Sequence, residues 1–197
     1  MNQMMKRTYI FLALSLAALT IPANAAVISL SILSTPTVGS SFSVAVRAAN
    51  VFGAPHVADA LVAYGFDVFV TGGSVTFLSS TAGGLFTDIS ASFAPGSPQV
   101  AAVATAGFLE TADIVEPLLL ATLVFSANST GVATISLGTN LLDLNQGLIY
   151  LGGTDAISAS AAVNPVGAPV PEPGTLVLTT LAGAVLLFVR AGNFHRA

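Results

Sequence analysis

Between residues 26 and 163 hydrophobic and polar positions alternate with a period of two, the pattern of strands with one buried face. In "FSVAVRA" Phe42, Val44 and Val46 fall on one side and Ser43, Ala45 and Arg47 on the other. In "LVAYGFDVFV" Val62, Tyr64, Phe66, Val68 and Val70 share one face, and Leu61, Ala63, Gly65, Asp67 and Phe69 the other. Further strands are predicted over 26–33, 74–80, 99–106, 118–127, 132–137 and 157–163. Gly and Pro separate them, at Pro36, Gly39, Gly53, Pro55, Gly72, Gly73, Gly83, Gly84, Pro95, Gly96, Gly131 and Gly147 among others. The longest helix-like stretch, "LETADIVEPLLLA", is broken by Pro117. The prediction is an all-β domain, a β-sandwich or jelly roll.

The two ends follow a different pattern. "MNQMMKRTYIFLALSLAALTIPANAA" has a basic start at Lys6 and Arg7, an apolar run from Thr8 to Ile21, a break at Pro22 and the small-x-small triplet Ala23-Asn24-Ala25. These are the parts of a secretory signal, with the cut expected between Ala25 and Ala26. At the other end "NPVGAPVPEPG" (164–174) predicts an extended linker. Leu176 to Val189 is apolar apart from two threonines, and Arg190 and Arg196 follow it. At ~1.5 Å per residue this run gives roughly 21 Å of helix, or roughly 27 Å when counted from Gly174 to Ala191, against about 30 Å of hydrocarbon. Having no polar face, it is expected to be a marginal membrane span with a cytoplasmic basic end. The domain plan is therefore signal peptide 1–25, sandwich 26–163, linker 164–174, and membrane helix with basic tail 175–197.

Composition sharpens the plan. Hydrophobic residues make up 54% of the 197 positions and charged ones 7%, with the apolar excess gathered at the two ends. Removing both ends leaves about 145 residues, enough for one core. With no cysteine, disulfides, thiolate metal sites and cysteine nucleophiles are excluded. Between the ends Arg47 is the only basic residue, against Asp59, Asp67, Asp88, Glu110, Asp113, Glu116, Asp143 and Asp155. An acidic body of this kind has no electrostatic footprint for nucleic acid.

Candidate chemistry is sparse. His56 is the only histidine of the body; it lies in the Gly/Pro loop "GAPHVAD", where a solvent-exposed side chain is expected. A catalytic role would pair it with Asp59 and a serine, but no Gly-x-Ser-x-Gly elbow is present. Asp67, Asp88, Glu110, Asp113 and Glu116 are the candidates for a glycosidase acid pair. Asp67 is expected at a sheet surface or hydrogen-bonded corner, and Glu110, Asp113 and Glu116 in a solvated loop. "DLNQG" (143–147) starts like a calcium loop, yet its fifth position is Gly147 and its twelfth Thr154, so a turn with local hydrogen bonds is expected. Sugar-stacking aromatics are few: there is no Trp, Tyr64 falls on an apolar face, and most of Phe69, Phe86, Phe93 and Phe108 are assigned to the core. "NST" (128–130) is a turn before Gly131. No catalytic residue, metal ligand or cofactor is predicted.

Two resemblances add to this. "VGSSFSVAVRAANV" (38–51), "AYGFDVFV" (63–70), "VTFLSSTAGGLF" (75–86), "LLLATLVFSANSTGVATISL" (118–137), "LLDLNQGLI" (141–149) and "ISASAAV" (157–163) stand in the order of cohesin-like domains and resemble their segments. The resemblance implies a jelly-roll sandwich of about nine strands, related to carbohydrate-binding modules, and a dockerin-like or exopolysaccharide partner. The chain departs from it at Thr71-Gly72-Gly73, where many relatives have an acidic residue and a proline. The C-terminus resembles a PEP-CTERM sorting signal: Pro171, Glu172 and Pro173, then the short apolar helix, then Arg190 and Arg196, a basic end thinner than in many relatives. That likeness implies processing by an exosortase after signal-peptidase cleavage, a transient inner-membrane anchor, and release to the surface or matrix of a Gram-negative, exopolysaccharide-making bacterium. The expected function is a non-enzymatic adhesion or assembly protein. An exopolysaccharide-binding module is the alternative, and a glycoside-acting enzyme the third.

Overall fold

A computed structural model describes residues 25–93 and 96–168. Ala23, Pro171, Glu172, Pro173, Arg190, Arg196 and the expected membrane helix lie outside the described residues. Among the described residues no helix is long and apolar enough to cross a membrane.

The described residues form eleven strands in two antiparallel sheets, with two one-turn 3-10 helices at Ser90–Ser92 and Thr111–Asp113. The first sheet has the order β1 (Val27–Ile32), β2 (Ser41–Ala49), β7 (Leu118–Ala127), β4 (Val75–Ala82). The second is built on β3 (Leu61–Thr71). One path runs from β3 through β6 (Val100–Ala104) to β5 (Phe86–Asp88). Another runs through β9 (Gly147–Tyr150) to β10 (Gly153–Asp155). The later half of β3 pairs with β8 (Ala133–Gly138), which pairs with β11 (Ala159–Val163).

The sandwich expected from alternation is therefore present, with eleven strands rather than about nine. β5, β9 and β10 have three or four residues each, too few for alternation to register. Two long strands also change phase. In β3 the register slips between Leu61 and Ala63, so fully buried Leu61 joins Tyr64, Phe66 and Val68 on the core side. Val62, assigned by strict alternation to that face, is only half-buried. In β7 the partner register skips Leu120, so Leu118 and Leu120 share the core with Leu123 and Phe125. An extra residue in one strand reverses the alternation beyond it.

Both sheets contribute to one core. Phe42 stacks on Phe125 at 5.6 Å between ring centroids, and Phe77 approaches Phe125 at 5.5 Å. From the second sheet Tyr64 meets Phe86 edge-on at 4.9 Å. The Tyr64 hydroxyl crosses to the first sheet and donates to the Leu120 carbonyl at 2.5 Å. Burial, and next the charge of Asp88, hold this phenol far above its ordinary titration range.

The outer side of β3 is covered by the β8–β9 loop. A Cβ at Gly65 would meet the Asn145 carbonyl oxygen at 2.0 Å and Pro98 Cγ at 3.1 Å. The buried Gln146 amide fixes this loop, donating to Asp67 Oδ2 at 3.2 Å and to Ser97 Oγ. Asp67 also accepts from Ser97 Oγ at 2.6 Å and the Gln99 N–H at 3.0 Å, so it sits at the hydrogen-bonded corner expected of it.

Gly65→Ala should therefore destabilise the domain by about 1–3 kcal/mol, because backbone must move to admit the methyl group. Gly84→Ala, where nothing lies within 4 Å of the new atom, should stay within about 0.5 kcal/mol of wild type. Urea unfolding of the two variants checks the contrast.

Candidate functional site

The loops at one end of the sandwich converge on His56. The site begins where β2 ends, at Asn50, whose φ of 56° turns the chain out of the sheet. Both Glu116 carboxylate oxygens hold this corner, accepting from the Asn50 and Val51 N–H groups at 2.7 Å each. The Tyr150 hydroxyl of β9 donates to the Val51 carbonyl at 2.7 Å. The loop then folds back through successive turns, with His56 N–H bonded to Gly53 O and Asp59 N–H to His56 O.

This turn chain lays the His56 ring flat on Tyr150, centroids 3.8 Å apart and planes within 8°. Nδ1 meets Asp59 Oδ2 at 2.9 Å, and Nε2 meets Asp155 Oδ1 of β10 at 3.4 Å. At 6% exposure His56 is buried, which corrects the solvent-exposed side chain expected from its loop. Gly and Pro mark a turn, but they say nothing of the tyrosine and aspartate onto which the turn closes. The pairing of His56 with Asp59 is present. Asp155 occupies the second ring nitrogen, where a catalytic histidine would address a serine. The imidazole bridges two carboxylates and offers no free base.

Asp59 joins the strand-to-strand connections. Its carboxylate accepts from the Ala60 N–H at 2.8 Å and the Gly152 N–H at 3.1 Å as well as from His56. The His56 hydrogen bond, followed by those two N–H groups and the imidazole charge, holds Asp59 below the ordinary carboxylate range, while burial opposes them. Tyr150 is driven far above its usual range by burial, then by the charges of Asp155, Asp59 and Glu116. Across the β6–β7 loop Leu109 exchanges two backbone hydrogen bonds with Leu61 at 2.8 and 2.9 Å. Glu110 and Asp113 cap each other's N–H groups around the 3-10 turn. The loop of Glu110, Asp113 and Glu116 is solvated as expected, and it is also tied down at both ends.

The other candidate acids are similarly used. Asp88 accepts from the Ser90 N–H, and Asp143 from the Asn145 N–H and side-chain amide, the local turn expected of "DLNQG". Asn128 bonds to Thr76 and Ser126, in keeping with a turn. Among the described residues no group of three or more His, Asp or Glu is placed to hold a metal ion. Phe86 is in the core and Phe93 half-buried, whereas Phe69 and Phe108 are exposed, so one of the four, and not most of them, belongs to the core.

With its polar groups engaged inwardly, this end presents apolar side chains outwardly. Val57 is 67% exposed, Phe108 49% and Leu151 74%. They line an open groove of ≈ 520 Å³ together with Glu110 and Thr111. A neighbouring groove of ≈ 680 Å³ includes Val115, Leu85 and Arg47, whose Nη1 donates to the Pro117 carbonyl at 3.3 Å. No motif marks Val57 or Leu151; their significance comes from the convergence of three loops.

The chain leaves the sandwich at the opposite end. Val166, within the predicted linker, exchanges backbone hydrogen bonds with Pro36 and Val38, next to the start of β2 at Ser41. The His56 site lies beyond the other end of β2, roughly 30 Å away at ~3.4 Å per residue.

Fold and site together define an all-β sandwich that exposes Val57, Phe108 and Leu151 on loops at the end distant from Val166. No protein-family model matches the sequence, and no curated protein matches it. Among solved structures, the cohesin module from a family 33 glycoside hydrolase of Clostridium perfringens superposes with a TM-score of 0.48 at 10% identity. The match covers 73% of this chain and 97% of that one.

His56→Ala should cost about 2–3 kcal/mol in urea unfolding, because it leaves Asp59 and Asp155 facing each other without their shared partner. The acid limb has a definite sign. Asp59, with its depressed folded-state pKa, contributes stability above its unfolded value near 3.8, and this is lost as pH falls through the lower folded value. Unfolding measured at about pH 7 and about pH 3 should show a smaller acid loss for Asp59→Asn than for wild type.

Proposed function

We propose that this chain is an exported, non-enzymatic surface or matrix protein whose cohesin-like sandwich serves adhesion or assembly. In this reading signal peptidase cuts between Ala25 and Ala26. The apolar tail, with Arg190 and Arg196 as its basic stop, holds the protein in the inner membrane. An exosortase then recognises Pro171, Glu172 and Pro173 and releases or transfers the body to the surface or exopolysaccharide matrix of a Gram-negative cell.

The observation that carries the binding role is the outward placement of Val57, Phe108 and Leu151 on loops whose polar groups are spent internally. An exposed apolar cluster of this kind marks a surface that a partner can cover. The non-enzymatic part is supported by His56 and the acids. The imidazole is held by two carboxylates, and Asp59, Asp67 and Glu116 are held by main-chain N–H groups.

An exopolysaccharide-binding module is the second reading. Phe108 favours it, an exposed ring beside the Thr111 hydroxyl and the Glu110 carboxylate. Pull-down on the producer's own polysaccharide separates the two readings, since the adhesion reading does not require retention on it.

Mass spectrometry of the surface-located protein from its host tests the delivery route. The expected product begins at Ala26 and ends near the Pro-Glu-Pro motif. A surface-located protein extending intact to Ala197 would refute exosortase processing.

A further inference from the structure

We propose that the Val57–Phe108–Leu151 groove takes a polypeptide partner that inserts one apolar side chain and flanks it with lysine or arginine. The proposal rests on the reading of this surface as the binding site and specifies the chemistry of its occupant.

The lining selects the anchor. Val57, Phe108 and Leu151 are large, apolar and exposed; Ala58, Ala60 and Ala112 make half of the remaining wall, and Asp59, Glu110 and Thr111 the other half. A sugar needs several directed hydrogen bonds. Of the polar lining, Asp59 already accepts from His56, Ala60 and Gly152, which leaves the Glu110 carboxylate and Thr111, fewer directed groups than the hydroxyls of a sugar ring require. A groove of ≈ 520 Å³ with such walls suits an aliphatic or aromatic side chain, the usual centre of a protein interface.

Charge selects the flanks. Asp59, Glu110, Asp113, Glu116 and Asp155 all stand at this end of the sandwich. Four of them are satisfied largely by backbone N–H groups, and Asp155 by His56. N–H dipoles fill the acceptor sites but leave the net negative charge in place. Among the described residues no lysine or arginine forms an ion pair with a carboxylate. Arg47, the only described arginine, directs its guanidinium to the Pro117 carbonyl. A groove with Asp59 and Glu110 in its lining, and Asp113 just beyond Ala112, is complementary to an apolar anchor between cations. The same charge argues against a second copy as the occupant, because this body would bring the same acidic excess to the contact.

The test uses the purified full chain and synthetic dodecapeptides with a central Phe or Leu, flanked by Lys/Arg, by Ser or by Asp/Glu. Titration should show the basic set bound at least ~10-fold more tightly than the acidic set, with the difference shrinking as salt is raised. Phe108→Ser and Leu151→Ser, both at exposed positions, should each weaken the basic set by ~10-fold or more. Glu110→Gln combined with Asp113→Asn keeps an acceptor for each capping N–H and removes two charges. This double variant should keep apolar binding and lose most of the preference for basic flanks. Thermal melts like that of wild type establish that all variants are folded.

Equal binding whatever the flanks would overturn the proposal, as would binding unaffected by Phe108→Ser. Self-association without peptide binding would assign the groove to a second copy and also overturn it. Retention of a neutral or acidic polysaccharide with no peptide bound would overturn it too, while leaving the reading of this surface as a binding site intact. Failure of every probe on the folded protein would remove both.

Discussion

The described residues contain eight carboxylates and one arginine, so their acids must be satisfied by something other than ion pairs. All eight accept hydrogen bonds, seven of them from main-chain N–H groups and Asp155 from His56. Loop N–H groups that have left a sheet ladder need acceptors, and a carboxylate supplies a strong one. The acids thus act as staples between the chain and its own turns. Asp67 fixes the crossing of the outer face of β3, Glu116 the exit of β2, Asp59 the return into β3 and Asp88 the exit of β5. A core of two packed sheets provides the cohesion, and these staples determine where its loops stand.

Function follows from what the stapling leaves over. At the His56 end the histidine and Asp59 are turned inward, and Val57, Phe108 and Leu151 are left outside beside exposed Glu110 and Asp113, in a negative field. Such a surface is poorly equipped for acid–base chemistry, because its histidine and its nearest carboxylates already hold one another.

The architecture was legible where alternation was long. β2, β3, β7 and β8 could be placed from their residues, because one buried face imposes a period of two. The bulges at Val62 and Leu120 could not, since a bulge is a property of pairing with another strand. β5, β9 and β10 were hidden by their brevity. Of the site, the sequence offered His56 and Asp59 three residues apart, with no sign that Tyr150 and Asp155 would meet them. Asp155 lies 99 positions from His56, and only the register of β9 against β3 brings it there. Leu151 and Val57 carried no signal, because exposed aliphatics in loops look the same whether scattered or gathered.

The central claim is that carboxylates, bonded to main-chain N–H groups, hold the His56 loops rigid. Residue-resolved amide hydrogen exchange on the folded chain near neutral pH measures it directly. The N–H groups of Asn50, Val51, Ala60 and Gly152, all outside the strand ladders, should be protected to a degree approaching that of core strand amides. Their protection should fall selectively in Glu116→Ala for Asn50 and Val51, and in Asp59→Ala for Ala60 and Gly152. Exchange of these four amides at the rate of an open loop in the wild-type protein would contradict the account.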